Sequence, residues 1–310
     1  MKNPNKIYYS LPDFYNNYQL NLRLVAMKAE HPGWFRPEAV IDSMYGTFPG
    51  IIWNGGRTQF GSATFENMGN TIAGLNQNGI SVRFTFTNGK LTGRHFKDYY
   101  GNVALDMLNQ LSGAYINKET QTPVLNGVNI NVEGFADYIK ANYPNLYLIW
   151  STTKGVKTPE EINELSKDTL TVPPYQMNNT DAIDKLEHTE NIELLCCEAC
   201  IDNCPDRQSH YEDLSNAQLL LPSKGFRCPH KCEQYYYYDN IPKRHHYISP
   251  EMIVSHYLPR GINQFKISGR NDNPINVIER YVNFLVLPEY KDEVRNHLLL
   301  DQFFGNNGNS

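Results

Sequence analysis

The sequence predicts one α/β domain built as a (β/α)8, TIM-like barrel, whole or incomplete and distorted, with a cysteine-rich metal-binding excursion after the sixth predicted strand. Three observations carry this. Short β-rich runs alternate with amphipathic runs from about residue 38 onward, the pattern of parallel α/β units. No linker, composition break or fixed-period repeat divides the 310 residues. All six cysteines fall in one 37-residue window, leaving 273 residues without any.

Taken in order, the expected strands are Ala39 to Asp42, Ile80 to Phe84, Val128 to Val132, Leu146 to Trp150, Thr169 to Val172, Ile192 to Cys196 and Gln264 to Ile267. An eighth is expected near Ile51 or Phe226. Helices are expected over Val103 to Leu111, Phe135 to Asn142, Pro159 to Ser166, Asp181 to Glu187 and Pro250 to Leu258, with a last one opened by Asn273-Pro274 and running to about Leu285. Thr158-Pro159 and Ser249-Pro250 each place an N-cap hydroxyl before a proline at the first helical position. The domain then spans residues 1–304, includes the insertion 196–247, and is followed by a small, polar, flexible tail, 305–310.

Charge narrows the partners. With 28 basic and 33 acidic residues the formal net charge is -5, which disfavours a broad basic nucleic-acid face, although Lys243, Arg244, His245 and His246 form a local patch. A small-molecule substrate is therefore expected ahead of RNA. No run reaches the ~20 apolar residues a membrane helix needs, and MKNPNKIYYSLPDF lacks a signal-peptide core. The expected location is cytoplasmic, with no membrane partner. P-loop, HExxH, nucleophile-elbow and dinucleotide glycine motifs are all missing from the sequence.

In a reducing compartment clustered thiols point to a metal rather than to disulfides. Cys200 and Cys204, then Cys228 and Cys232, form two clips with three residues inside each and 23 between them. Four thiolates suit zinc or an iron-sulfur centre, and spacing does not choose between the two. Cys196 and Cys197 end an apolar strand, where neighbouring side chains face opposite ways; both read as small core residues, with Cys197 the reserve ligand.

Polar groups at the C-terminal ends of barrel strands carry most weight for function. Asp42 and Tyr45 end the first expected strand, and Asn54-Gly55-Gly56-Arg57 follows, its glycines suited to close ligand approach and Arg57 offering a planar fork. An ordinary glycine turn is the plainer account. Arg83 interrupts an apolar strand and should meet a carboxylate such as Asp42, or an anionic ligand. Asn88, Glu198, Arg207, His210, Lys266 and Arg270 complete the set; Lys266 and Arg270 suit an anionic substrate or hydrogen bonds near a cluster's sulfurs, or, more plainly, surface charge at a loop. The tyrosines 235–238 suit stacking or, more plainly, an alternating half-buried strand.

The stretch Glu193-Leu-Leu-Cys-Cys-Glu-Ala-Cys200-Ile-Asp-Asn-Cys204-Pro-Asp-Arg207-Gln-Ser-His210-Tyr211, followed by Phe226-Arg-Cys228, Ile248-Ser-Pro-Glu251 and Phe265-Lys-Ile-Ser-Gly-Arg270, resembles the collagenase-like peptidase U-32 family. The resemblance runs from about residue 36 to 290. It implies a TIM-like barrel with an oxygen-sensitive [4Fe-4S] cluster on four cysteines, in a family whose better understood members support oxygen-independent hydroxylation of quinone precursors or RNA bases, some with prephenate as oxygen source. The sequence departs from that pattern in having three cysteines close together at 196, 197 and 200, and in its narrow pair spacing.

With the resemblance, the leading expectation is an iron-sulfur redox enzyme that hydroxylates a small aromatic or nucleobase-like substrate. Cys200, Cys204, Cys228 and Cys232 would hold the cluster. Glu198 and His210 would carry protons, Tyr45 would stack, and Asp42, Asn54, Arg57, Arg83, Asn88, Arg207, Lys266 and Arg270 would bind substrate. The alternatives are a zinc-stapled binding or structural barrel and, from the family's name, a peptidase. A homo- or hetero-oligomer with a family member is a further expectation.

Overall fold

Over Ser81 to Phe86 the side chains alternate: Val82, Phe84 and Phe86 join the apolar core, while Ser81, Arg83 and Thr85 take the opposite face. The same period of two sets Phe265 and Ile267 against Gln264, Lys266 and Ser268, and Val128 and Ile130 against Asn129. Strands of this pattern bury both faces, one apolar beneath helices and one polar. The computed structural model describes residues 2–55, 61–230, 238–270 and 272–304, with side chains to 300.

Among the described residues there are eight strands: β1 (Ile7–Pro12), β2 (Ala39–Gly46), β3 (Ser81–Phe86), β4 (Gly127–Ile130), β5 (Tyr147–Trp150), β6 (Leu170–Thr171), β7 (Glu193–Leu195) and β8 (Gln264–Lys266). All pair in parallel, in the spatial order β6-β5-β4-β3-β2-β1-β8-β7. The ring closes between β6 and β7 through one isolated bridge, Thr171 to Ile192. The fold is thus an incomplete (β/α)8 barrel with a weak seam.

Helices α1 (Tyr18–Glu30), α2 (Phe65–Gln77), α3 (Tyr99–Leu111), α4 (Glu133–Asn142) and α5 (Pro159–Ser166) follow the first five strands. After β7 comes α6 (Arg207–Gln218), then the short α7 (Pro250–Met252); α8 (Pro274–Leu285) and α9 (Lys291–Phe304) close the chain. Thr158 makes a full capping box with Glu161, and Ser249 caps α7, as their sequence contexts require. Among the described residues no helix is long and apolar enough to cross a membrane.

Three sequence expectations need correction. The eighth strand is β1, at the N-terminus, and not near Ile51 or Phe226, both of which lie in loops. Two tyrosines and a serine disguise IYYSLP, and its burial depends on the distant partners β2 and β8. The helix expected over Asp181 to Glu187 is a single 3₁₀ turn, Ile183–Lys185, because Asn163 of α5 takes the Lys185 carbonyl and the Glu187 amide that a longer helix would use. The run Pro250 to Leu258 is also broken: α7 passes into a π turn, Ile253–Tyr257, and a 3₁₀ turn, Leu258–Arg260, where Pro259 supplies no N–H.

Candidate functional site

At the C-terminal ends of the strands the polar interior opens into a cavity of about 450 Å³. Its floor is made by Tyr45, Thr85, Asn129 and Lys266; Arg270 and Ser268 come from the segment after β8, and Ser151 to Thr153 from the segment after β5. The remaining wall belongs to the excursion after β7: Glu198, Cys200, Cys204, Arg207, His210, Phe226 and Cys228.

Local bonds explain how so long an excursion returns to the barrel. Asp206 precedes α6 and binds His230 at 2.7 Å instead of capping the helix. Asp213 of α6 accepts the backbone N–H groups of Lys224 and Phe226 at 2.7 and 2.6 Å, closing the loop that carries Cys228. Those bonds draw the Asp213 carboxyl below its ordinary value. Phe226 then stacks on the His210 ring at 4.4 Å. Asn88 does not line the cavity; its amide donates to the Ser215 carbonyl at 3.0 Å and ties α6 to the end of β3.

Arg207 spans the thiol wall. Its guanidinium is 3.3 Å from Glu198 Oε2 and lies over the rings of Tyr175 and Tyr211, at 4.4 and 5.0 Å. Glu198 also accepts the amides of Ala199 and Cys200, which fixes its carboxylate against its own loop. Burial pushes the Cys200 thiol up to about 11, with Glu198 adding to the rise and Arg207 opposing it.

On the floor, Lys266 Nζ sits 3.3 Å from Asn129 Oδ1 and 3.9 Å from the centre of the Tyr45 ring. Burial pushes this amine down to about 8; Glu193 opposes the shift, while Arg83 and Arg270 add to it. Arg270 is anchored by Asn54 at 3.0 Å and by Thr85. The Tyr45 hydroxyl donates to the Ile267 carbonyl at 2.8 Å, so its ring, rather than its hydroxyl, is what it offers the cavity.

Several sequence expectations fall elsewhere. Asp42 and Arg83 lie deeper in the barrel, outside the cavity lining, in a cluster with Glu193, Tyr147 and Lys2. The reason is charge balance: a buried guanidinium is held by acids already present. Gly55 gives close approach to the protein's own chain, since a Cβ there would lie 2.1 Å from the Thr87 carbonyl oxygen. Tyr238 lies in the 3₁₀ stretch Tyr238–Lys243 and so does not continue a strand. Arg57, Cys232 and tyrosines 235–237 lie outside the described residues.

Cys200, Cys204 and Cys228 share the cavity wall, whereas Cys196 and Cys197 are fully buried behind it. Cys197 Sγ accepts the Ser268 N–H at 3.3 Å; burial would raise its thiol, but the bond from Cys196, the charge of Arg280 and the Ser268 bonds together lower it. Among the described residues no three His, Cys, Asp or Glu side chains already converge on one metal position. The three wall thiols nonetheless fit a thiolate-held metal centre by donor type, since all are sulfur and all face one cavity. Asn129 escapes the sequence analysis; the signal for it is one polar residue between Val128 and Ile130, at an inward strand position.

No family model matches the sequence, and no curated protein matches it. A solved structure, that of the U32 peptidase Mk0906, is similar to the chain with a TM-score of 0.48 and 11% identity, over 86% of this chain and 94% of that one.

Proposed function

We propose that the chain is an iron-sulfur redox enzyme whose substrate is a small, anionic, aromatic molecule, with oxygen-independent hydroxylation as the reaction class. The supporting observation is that Cys200, Cys204 and Cys228 share one cavity with Lys266 and Arg270 at the C-terminal strand ends. A volume of about 450 Å³ suits a small molecule. A bound cluster would supply electron transfer; Cys200, Cys204 and Cys228 would be three of its ligands, with Cys232 the fourth and Cys197 in reserve.

The chain's own residues do the rest. Arg270 holds the anion with Lys266 beside it over the Tyr45 ring, and Thr85 and Asn129 orient the substrate's polar edge. Glu198 and His210, on the opposite wall, carry protons to and from it. Arg207 holds the Glu198 carboxylate in place through their ion pair at 3.3 Å.

The test is iron, acid-labile sulfide and zinc content of protein purified without oxygen. About four irons and four sulfides per chain support the redox reading. Stoichiometric zinc without iron overturns it and makes the cysteines a staple, in a barrel that binds rather than transforms its ligand. Cleavage of peptides by metal-free protein would instead favour a peptidase.

A further inference from the structure

Lys266 differs from the other lysines of the barrel. It is 8% exposed, and among the described residues no carboxylate lies within ion-pair distance of its amine. Glu193, the acid with most influence on it, is already bonded to Arg83. Asn129 donates its own N–H to the Phe84 carbonyl at 3.2 Å, so it presents Lys266 with an acceptor oxygen that carries no charge. The groups of changing or fixed charge around the amine are Arg83 of β3, Glu193 of β7, Tyr45 of β2 and Arg270 beyond β8, two of them cations. A lysine desolvated beside other cations keeps a reactive share of neutral amine near neutrality.

We propose that Lys266 forms an imine with the carbonyl carbon of a small carboxylate-bearing substrate, a 2-oxo acid in its simplest form, whose carboxylate rests on Arg270. The Nζ lone pair makes a carbon-nitrogen bond, and the carbonyl oxygen takes up protons and leaves as water. No electrons are gained or lost, so the step needs neither oxidant nor reductant. Arg270, fixed by Asn54 and Thr85, lines the same cavity as the amine and sets which carbonyl compounds dwell there. The inference rests on this cavity being the substrate site, and it is independent of which metal the thiols hold.

The test is reductive trapping on the intact protein with pyruvate and sodium cyanoborohydride, followed by tryptic mapping. A modified Lys266 blocks cleavage inside the segment from Gly261 to Arg270. The expected result is labelling of that segment at least tenfold faster than of exposed lysines such as Lys167, with acetone, which lacks a carboxylate, labelling it at least tenfold more slowly than pyruvate. Lys266→Met should lose this label and keep the metal content of the parent; Arg270→Gln should slow it at low pyruvate. Label confined to exposed lysines, or equal labelling by acetone, overturns the proposal. Wild-type mapping decides even if Lys266→Met fails to fold, and metal analysis on the same sample reports separately on the redox reading.

Discussion

Arg83 of β3 and Glu193 of β7 meet inside the barrel, the guanidinium donating to Glu193, to the Tyr147 hydroxyl at 2.7 Å and to Asp42 at 3.3 Å. These strands are not neighbours in the sheet, so the pair braces opposite sides of a ring whose seam is a single bridge. Burial works against the charge of Arg83, and its three partners hold it protonated. Glu193→Ala leaves a buried cation short of its main counter-charge and should cost about 3–5 kcal/mol in urea unfolding. Arg83→Met with Glu193→Leu should cost clearly less than the sum of the single changes; strict additivity would refute the coupling.

The acid limb of stability should depend on Asp42. Burial alone would raise its carboxyl, but Lys2 and Arg83 outweigh that and hold it below the ordinary value of 3.8. A carboxyl held low in the folded state contributes stability that is complete above its unfolded value, and loses it as pH falls through the folded one. Wild-type stability should therefore decline below about pH 4. In Asp42→Asn that part of the decline should be missing when unfolding free energy is followed against pH.

Gly55 has a role set by chain crossing. A Cβ would lie 2.1 Å from the Thr87 oxygen and 2.4 Å from the Asn88 nitrogen, both backbone atoms that cannot rotate away. Gly55→Ala should lower the urea midpoint by an amount equivalent to about 1–3 kcal/mol, with an unchanged slope. An unaltered midpoint would mean that the two segments separate freely.

How much of this was legible depended on the range of the causes. The Thr158 capping box is local, so four residues of sequence sufficed to read it. Arg83 was legible as a charge needing an acid, because the alternation of β3 is local too, but Glu193 as the main partner was not, being 110 residues away. Asp42, offered as that partner, is only the secondary one. The cysteine clips drew attention to one wall of the cavity, while of its floor the sequence pointed to Lys266 and Arg270, from the end of one strand, and not to Asn129. A lone asparagine in a short strand has no meaning until the ring closes and turns it toward β8. The strand β1 stayed hidden for a similar reason, since what buries it is β2 on one side and β8, more than 250 residues later, on the other.

Asp213 offers a way to test the thiol wall without touching a thiol. Its carboxylate holds the amides of Lys224 and Phe226, and this loop returns Cys228 to the cavity beside Cys200 and Cys204. If Cys228 is a ligand, Asp213→Ala should lower the metal retained through a chelator wash several-fold, as Cys228→Ser should, because an unclamped loop must be ordered at the moment of binding. Cys197→Ser should retain the metal, since Cys197 is buried behind the wall. The bonds that lower the Asp213 carboxyl also make the clamp strongest above the ordinary carboxylate range and weaker in acid, as the protonated form gives up acceptor capacity. Retention identical in Asp213→Ala and wild type, alongside loss in Cys197→Ser, would transfer the ligand role from the excursion to the buried strand end.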